Sequence, residues 1–288
     1  MIFRRVLQFI PLLVIALSAT GQTMTGLPAG GTGETRQNEA LRQSRSQALA
    51  PRLVVFPGDR VIPHFIDGWV WQTAMTVVNL ENYPTTFEVL FFNDAGTDWY
   101  VPVIGLGAVR GVKISLNTAG SLTFQTAGTN PAASSGWALL SQPNSDSVGS
   151  FAIFRLSFPG QQQQEAVIPT VNQFSGQFVL PFDNTAKFVT GVALVNPTLK
   201  LVSIPVNIRN ETGQIIDRQT FGLGPYAHTA FVLPETWRST AGIRGTVEFD
   251  PTGVGVGALG LRFNGNAFTS LNIMSNFNWL PKLGTPLP

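Results

Sequence analysis

The chain is written twice. Thr73 to Gly96 reads TAMTVVNLENYPTTFEVLFFNDAG, and Thr190 to Gly213 reads TGVALVNPTLKLVSIPVNIRNETG. The two align without a gap, with Asn79 on Asn196, Asn93 on Asn210 and Gly96 on Gly213. Each consists of two β-like runs joined by a polar, proline-containing turn. The match extends outward with small gaps. Val61-Ile62-Pro63-His64-Phe65 falls on Val179-Leu180-Pro181-Phe182, and Ser121–Phe124 on His228–Phe231. Gly136–Ser141 falls on Gly245–Asp250, and Val148–Phe154 on Val256–Arg262. Period-two alternation recurs in these short runs, and neither copy has an amphipathic pattern of helix length. The expectation is an all-β chain of two tandem immunoglobulin-like antiparallel β-sandwich domains, 51–170 and 176–280, the second an internal repeat of the first.

Superposing the copies separates inside from outside. Positions apolar in both are expected to face the core: Val89 and Val206, Phe91 and Ile208, Ala138 and Val247, Leu140 and Phe249, Phe151 and Leu259, Ile153 and Leu261. The residues between them are expected to face outward. There the copies disagree. The second has Asn207, Arg209, Thr246, Glu248 and Arg262, which suit water; the first has Leu90, Phe92, Trp137, Leu139 and Phe154. Covering such side chains is worth ~1.5–3 kcal/mol each. The cover is expected from the second domain, from Leu53–Phe56, from Tyr100–Leu116, or from a protein partner; a ligand groove has no convergent polar groups to recommend it.

Residues 1–22 have the order of a secretory signal peptide: Arg4 and Arg5, the apolar run Val6–Leu17, then small residues. That run is too short to cross a membrane, so no transmembrane span is expected after its removal. Residues 23–50 are polar and aperiodic and read as a disordered linker, and 281–288 as a tail. The net charge of +2 conceals an asymmetry. Seven Lys/Arg and three Asp/Glu precede Val61, against eleven and thirteen from Val61 onward. The body is slightly acidic, and it lacks the basic stripe that nucleic acid requires. Without cysteine no disulfide forms, so the protein is held by core burial.

Little in the sequence points to chemistry. The two histidines, His64 and His228, occupy different repeat positions and read as separate structural residues. No catalytic, cofactor or metal site is expected. Asn93–Asp98 has the composition of a calcium loop but lacks its remaining spaced carboxylates, so it reads as a hairpin turn. The most distinctive loop is Asp67-Gly68-Trp69-Val70-Trp71-Gln72-Thr73. Trp71 reads as packing over one end of a sandwich and Trp69 as a surface anchor for a protein or a sugar.

That loop and its surroundings carry a resemblance. Ile62-Pro63-His64-Phe65, Asp67-Gly68, Trp71-Gln72-Thr73 and Val78-Asn79 resemble a pattern, roughly IPHFADGGGWTT…LVNP, of an uncharacterised family of secreted tandem β-sandwich proteins of soil bacteria. Leu180–Thr185, Gly191–Pro197, His228–Phe231 and Gly245–Phe249 are similar to it as well, so that the likeness covers most of residues 60–275. Trp69-Val70 stands where the pattern has glycines. The resemblance implies export and the sandwich fold and supplies no catalytic residues. The expected function is an exported, non-enzymatic structural or adhesive interaction protein at or beyond the cell surface. The alternative is a polysaccharide-binding protein using Trp69, Trp71 and Trp137. The oligomeric state is not legible.

Overall fold

The computed structural model describes residues 22–27, 59–141, 147–171, 176–251 and 255–275. The expected signal peptide apart from Gln22, most of the expected linker, the strand expected at Leu53–Phe56 and the 281–288 tail lie outside the described residues. The chain is all-β, and its sheets are antiparallel and packed as sandwiches.

The N-terminal sandwich takes β1 (Thr23–Leu27), β2 (Arg60–Asp67), β3 (Trp71–Asn79), β4 (Thr85–Asn93), β7 (Gly111–Leu116), β8 (Ser121–Gln125), β9 (Ser134–Ser141), β10 (Val148–Leu156) and β11 (Gln164–Pro169). One sheet runs β1-β7-β4-β9-β2 and the other β11-β10-β3-β8. A small ribbon, β5 (Val101–Val103) with β6 (Gly107–Val109), lies beside them. The C-terminal sandwich takes β12 (Phe178–Asp183), β13 (Phe188–Val195), β14 (Val202–Asn210), β15 (Ile215–Leu223), β16 (His228–Val232), β17 (Arg244–Phe249), β18 (Gly257–Asn264), β19 (Ala267–Leu271) and β20 (Met274–Ser275). Its sheets run β15-β14-β17-β12-β20 and β16-β13-β18-β19. A single helical turn, α1 (Leu233–Thr236), starts at Leu233-Pro234, where proline's missing N–H costs nothing.

Alternation explains the cores. On β4, Phe87, Val89 and Phe91 point in, and Glu88, Leu90 and Phe92 point out. On β14, Ile204, Val206 and Ile208 do the same. The matched polar residues are turn organisers. Buried Asn79 donates to the carbonyls of Tyr83 (2.7 Å) and Asn117 (2.9 Å), and buried Asn196 to those of Lys200 (2.6 Å) and Leu223 (3.1 Å). The Asn93 side chain accepts from the amides of Ala95 and Thr97, and Asn210 from those of Thr212 and Gln214. Gly96 (φ 80°) and Gly213 (φ 82°) close these turns in the left-handed region that favours glycine. Asn93–Asp98 is thus a hairpin turn.

Three expectations need correction. Thr23–Leu27 lies in a strand rather than a linker, pairing with β7 from Thr23↔Ser115 to Leu27↔Gly111. On β10 the parity is reversed. Ala152 and Phe154 point into the core, whereas Phe151 is 37% exposed and Ile153 half-buried on the outer face. Leu259 and Leu261 likewise leave the C-terminal core and join the N-terminal cluster. Finally, Glu248 does not face water: it is 1% exposed and ion-paired with Arg209.

The two sandwiches share buried surface. Ala193, Leu259, Leu261 and Phe268 of the C-terminal half belong to the same apolar cluster as Ile62, Phe65 and Phe154. Strand β2 touches β13, β16 and β18, and β11 lies along β19.

Candidate functional site

The site begins with one additional residue. Strand β2 pairs with β9 through Ile62↔Ala138 and then Phe65↔Gly136, so Pro63 and His64 together oppose Trp137. Strand β12 makes the equivalent run with Pro181 alone opposite Thr246 and no shift of register. A β-bulge of this kind re-aims a side chain, and proline suits the bulge because it has no N–H to give the ladder. The side chain re-aimed is His64.

His64 meets His228 of the other sandwich. The Nδ1 of His64 lies 3.0 Å from Nε2 of His228, and the rings lie nearly parallel, 15° apart. The other nitrogen of His228, Nδ1, lies 2.8 Å from Oδ1 of Asp94, and its backbone N–H donates to the Asp94 carbonyl at 3.0 Å. Asp94 also accepts from the Ser135 hydroxyl at 3.3 Å. The carboxylate fixes the proton of His228 on Nδ1, so that in the neutral pair Nε2 accepts the Nδ1–H of His64. Both imidazoles are buried. Burial, and then the charge that His228 can carry, hold His64 well below the ordinary histidine pKa.

Beside this chain lies a stack of aromatic rings. Phe92 stacks on Trp137 (centroids 4.5 Å apart) and on Tyr226 (5.8 Å). The indole N–H of Trp137 donates to the Tyr226 carbonyl at 2.8 Å. Tyr226 reaches this position from a turn, Gly224–Ala227, in which it adopts φ 53°. The turn rests on Gly96, where a Cβ would lie 2.6 Å from the Pro225 carbonyl oxygen. Val61, Leu139 and Val195 complete the seam, with Leu90 against it.

The residues singled out from sequence therefore part company. Trp137 and Leu139 are buried in the seam, and Leu90 and Phe92 half-buried there, covered by the C-terminal sandwich. Phe154 is buried on the core side, edge-on to His64 at 5.2 Å. Trp71 is half-buried, 5.4 Å from Phe268. Trp69 is 60% exposed, at φ 55°, with Phe158 edge-on to it. The tryptophans do not form a shared platform. The histidine chain was missed because its members are 164 residues apart. One signal was present: IPHF carries one residue more than its counterpart LPF.

The matching place on the C-terminal sandwich is an open recess of about 610 Å³, lined by Phe182, Arg209, Gly213, Arg244 and Thr246. Both arginines are engaged, Arg209 with Glu248 and Arg244 with Asp183 at 3.0 Å. The Thr185 hydroxyl, ahead of Arg244, holds the Asp183 carboxyl down at about 2.

No family model, curated protein or solved structure matches the chain. Among the described residues, no helix is long and apolar enough to cross a membrane.

Proposed function

We propose that the protein is an exported tandem of two immunoglobulin-like sandwiches that works by contact rather than by catalysis, as a structural or adhesive module at or beyond the cell surface. The signal-like order of residues 1–22 and the resemblance to secreted tandem sandwiches support export. One observation carries the contact role. On β10 and β11 of the N-terminal sandwich, Phe151 (37% exposed) and Val167 (51% exposed) stand on one outer face with Ile153. The matching β18 residues, Leu259 and Leu261, are buried against the neighbouring sandwich. This face of the fold already serves as a docking surface in one half and stands open in the other.

The occupant we assign is a second copy of the chain, docked face to face. The rim carries both signs of charge, with Arg155 and Glu165 ion-paired across β10 and β11 at 2.9 Å. A two-fold arrangement can exchange that pair between copies, as self-complementary interfaces require. Sedimentation velocity tests this. The wild-type chain is expected to dimerise as its concentration rises to about 0.1 mM, and the Phe151→Glu, Val167→Glu double variant to remain monomeric. A wild-type monomer throughout that range would end the self-docking reading.

The second reading, polysaccharide binding, rests on Trp69 alone, because Trp137 is enclosed. Retention on a polysaccharide column that survives Trp69→Ala unchanged would remove it.

A further inference from the structure

We propose that the Asp94–His228–His64 chain is an acid-sensitive latch between the two sandwiches, closed while the imidazole pair carries at most one added proton and released when it takes a second. The argument is one of hydrogen count. Two facing nitrogens 3.0 Å apart have room for one hydrogen between them. In the neutral pair that hydrogen sits on Nδ1 of His64, while Nδ1–H of His228 donates to Asp94. With one added proton a hydrogen still bridges the rings, and Asp94 faces the charge. A second added proton sets two N–H groups head to head in a buried seam and repels two like charges.

The surroundings offer little relief. From β10 the neighbour is the Phe154 ring, edge-on at 5.2 Å. From β9, Ser135 donates to Asp94. Asp94, after β4, is the charged group placed against the pair, and it touches His228 rather than His64. His64 therefore has no carboxylate to stabilise its charged form among the contacts described. The latch crosses between the sandwiches, because His64 and Asp94 belong to the N-terminal one and His228 to the C-terminal one, while Leu259, Leu261 and Phe268 hold the rest of their shared surface and serve as the hinge. Histidine is the side chain whose ordinary titration falls at mild acidity, so a protein exported into acid surroundings would meet this transition.

What separates on release is the seam of Val61, Phe92, Trp137, Leu139, Val195 and Tyr226. Opened, it exposes the apolar strip that lies along β4 and β9. The proposal is independent of the dimer reading, since it concerns a contact within one chain.

The test is small-angle X-ray scattering of the full chain from about pH 8 to about pH 4, with circular dichroism on the same samples. The radius of gyration is expected to rise below about pH 6 while the β signal persists. His64→Phe removes a titrating ring and is expected to lower the midpoint by about half a pH unit or more. Asp94→Asn keeps an acceptor for His228 but removes the charge, and is expected to raise the midpoint. Opposite shifts in the two variants support the latch. Equal midpoints in all three proteins, or loss of the β signal in the same step as expansion, overturn it. If His64→Phe fails to fold, the direction of the Asp94→Asn shift decides alone.

Discussion

Leu90 pairs with Leu139, and Phe92 with Trp137, on the outer side of β4 and β9. At the matching rungs of β14 and β17, Asn207 pairs with Glu248 and Arg209 with Thr246. The backbone is the same, but the side chains are buried in different ways. The first set is apolar, and it is covered by a neighbour that inserts Tyr226 and Val195. The second is polar and closes on itself: Glu248 accepts from Asn207 Nδ2 at 3.1 Å and pairs with Arg209. The two glycines report the outcome. Gly96 carries the Pro225–Tyr226 turn, whereas a Cβ added at Gly213 would meet nothing within 4 Å. An apolar face is non-directional and needs cover from outside. A face of paired charges with satisfied hydrogen bonds does not.

The comparison can be broken first at Trp137. Trp137→Ala removes a fully buried indole and its hydrogen bond to the Tyr226 carbonyl, with an expected loss of about 3–5 kcal/mol in urea unfolding. A loss below about 1 kcal/mol would mean the seam does not hold the halves together. On the polar face, Glu248→Ala takes from Arg209 its buried carboxylate and leaves it the Gly213 carbonyl and partial access to water; a loss of about 2 kcal/mol is expected. If Glu248→Ala proved the costlier of the two, the roles assigned to the faces would be reversed.

Acid should separate the halves next. The pKa of His64 is lowered in the folded state, so the folded protein favours its neutral form. Its contribution is complete above the unfolded value of about 6.5 and declines below it by up to about 1.4 kcal/mol per pH unit. Urea midpoints should therefore fall between about pH 6.5 and pH 5 in the wild type, and less in His64→Phe. The smallest effect belongs to Asp183, in the C-terminal half. Its contribution is present above the ordinary carboxylate value and is lost as pH falls toward about 2. Thr185→Ala should raise that titration, read by NMR, with little change in stability at neutral pH.

Much of the architecture could be read from residues that do the same job twice. Asn79 and Asn196 tie the same turn, and Val89, Phe91, Val206 and Ile208 alternate as strands with one buried face must. The rule that shared apolar positions face the core failed on β10 and β18 for a physical reason. The inward positions there include Ala152 and Gly260, small enough for the opposite sheet to approach closely; a Cβ on Gly260 would collide with Leu180. The larger side chains, Phe151 and Leu259, stand on the outer face. Thr23–Leu27 is not legible because an edge strand hydrogen-bonded to a single neighbour needs little apolar content. The histidine chain escaped because a long-range contact leaves no local pattern.

Phe268 packs into the N-terminal cluster from a strand that follows the whole of that sandwich in the chain, beside Trp71 and with Leu259 and Leu261 in the same cluster. A polypeptide emerging from its N-terminus has made β2 to β11 before those three side chains arrive. Until then the apolar surface that they cover on the N-terminal sandwich stands open. Truncation after β11 should yield a sticky fragment rather than a small stable protein.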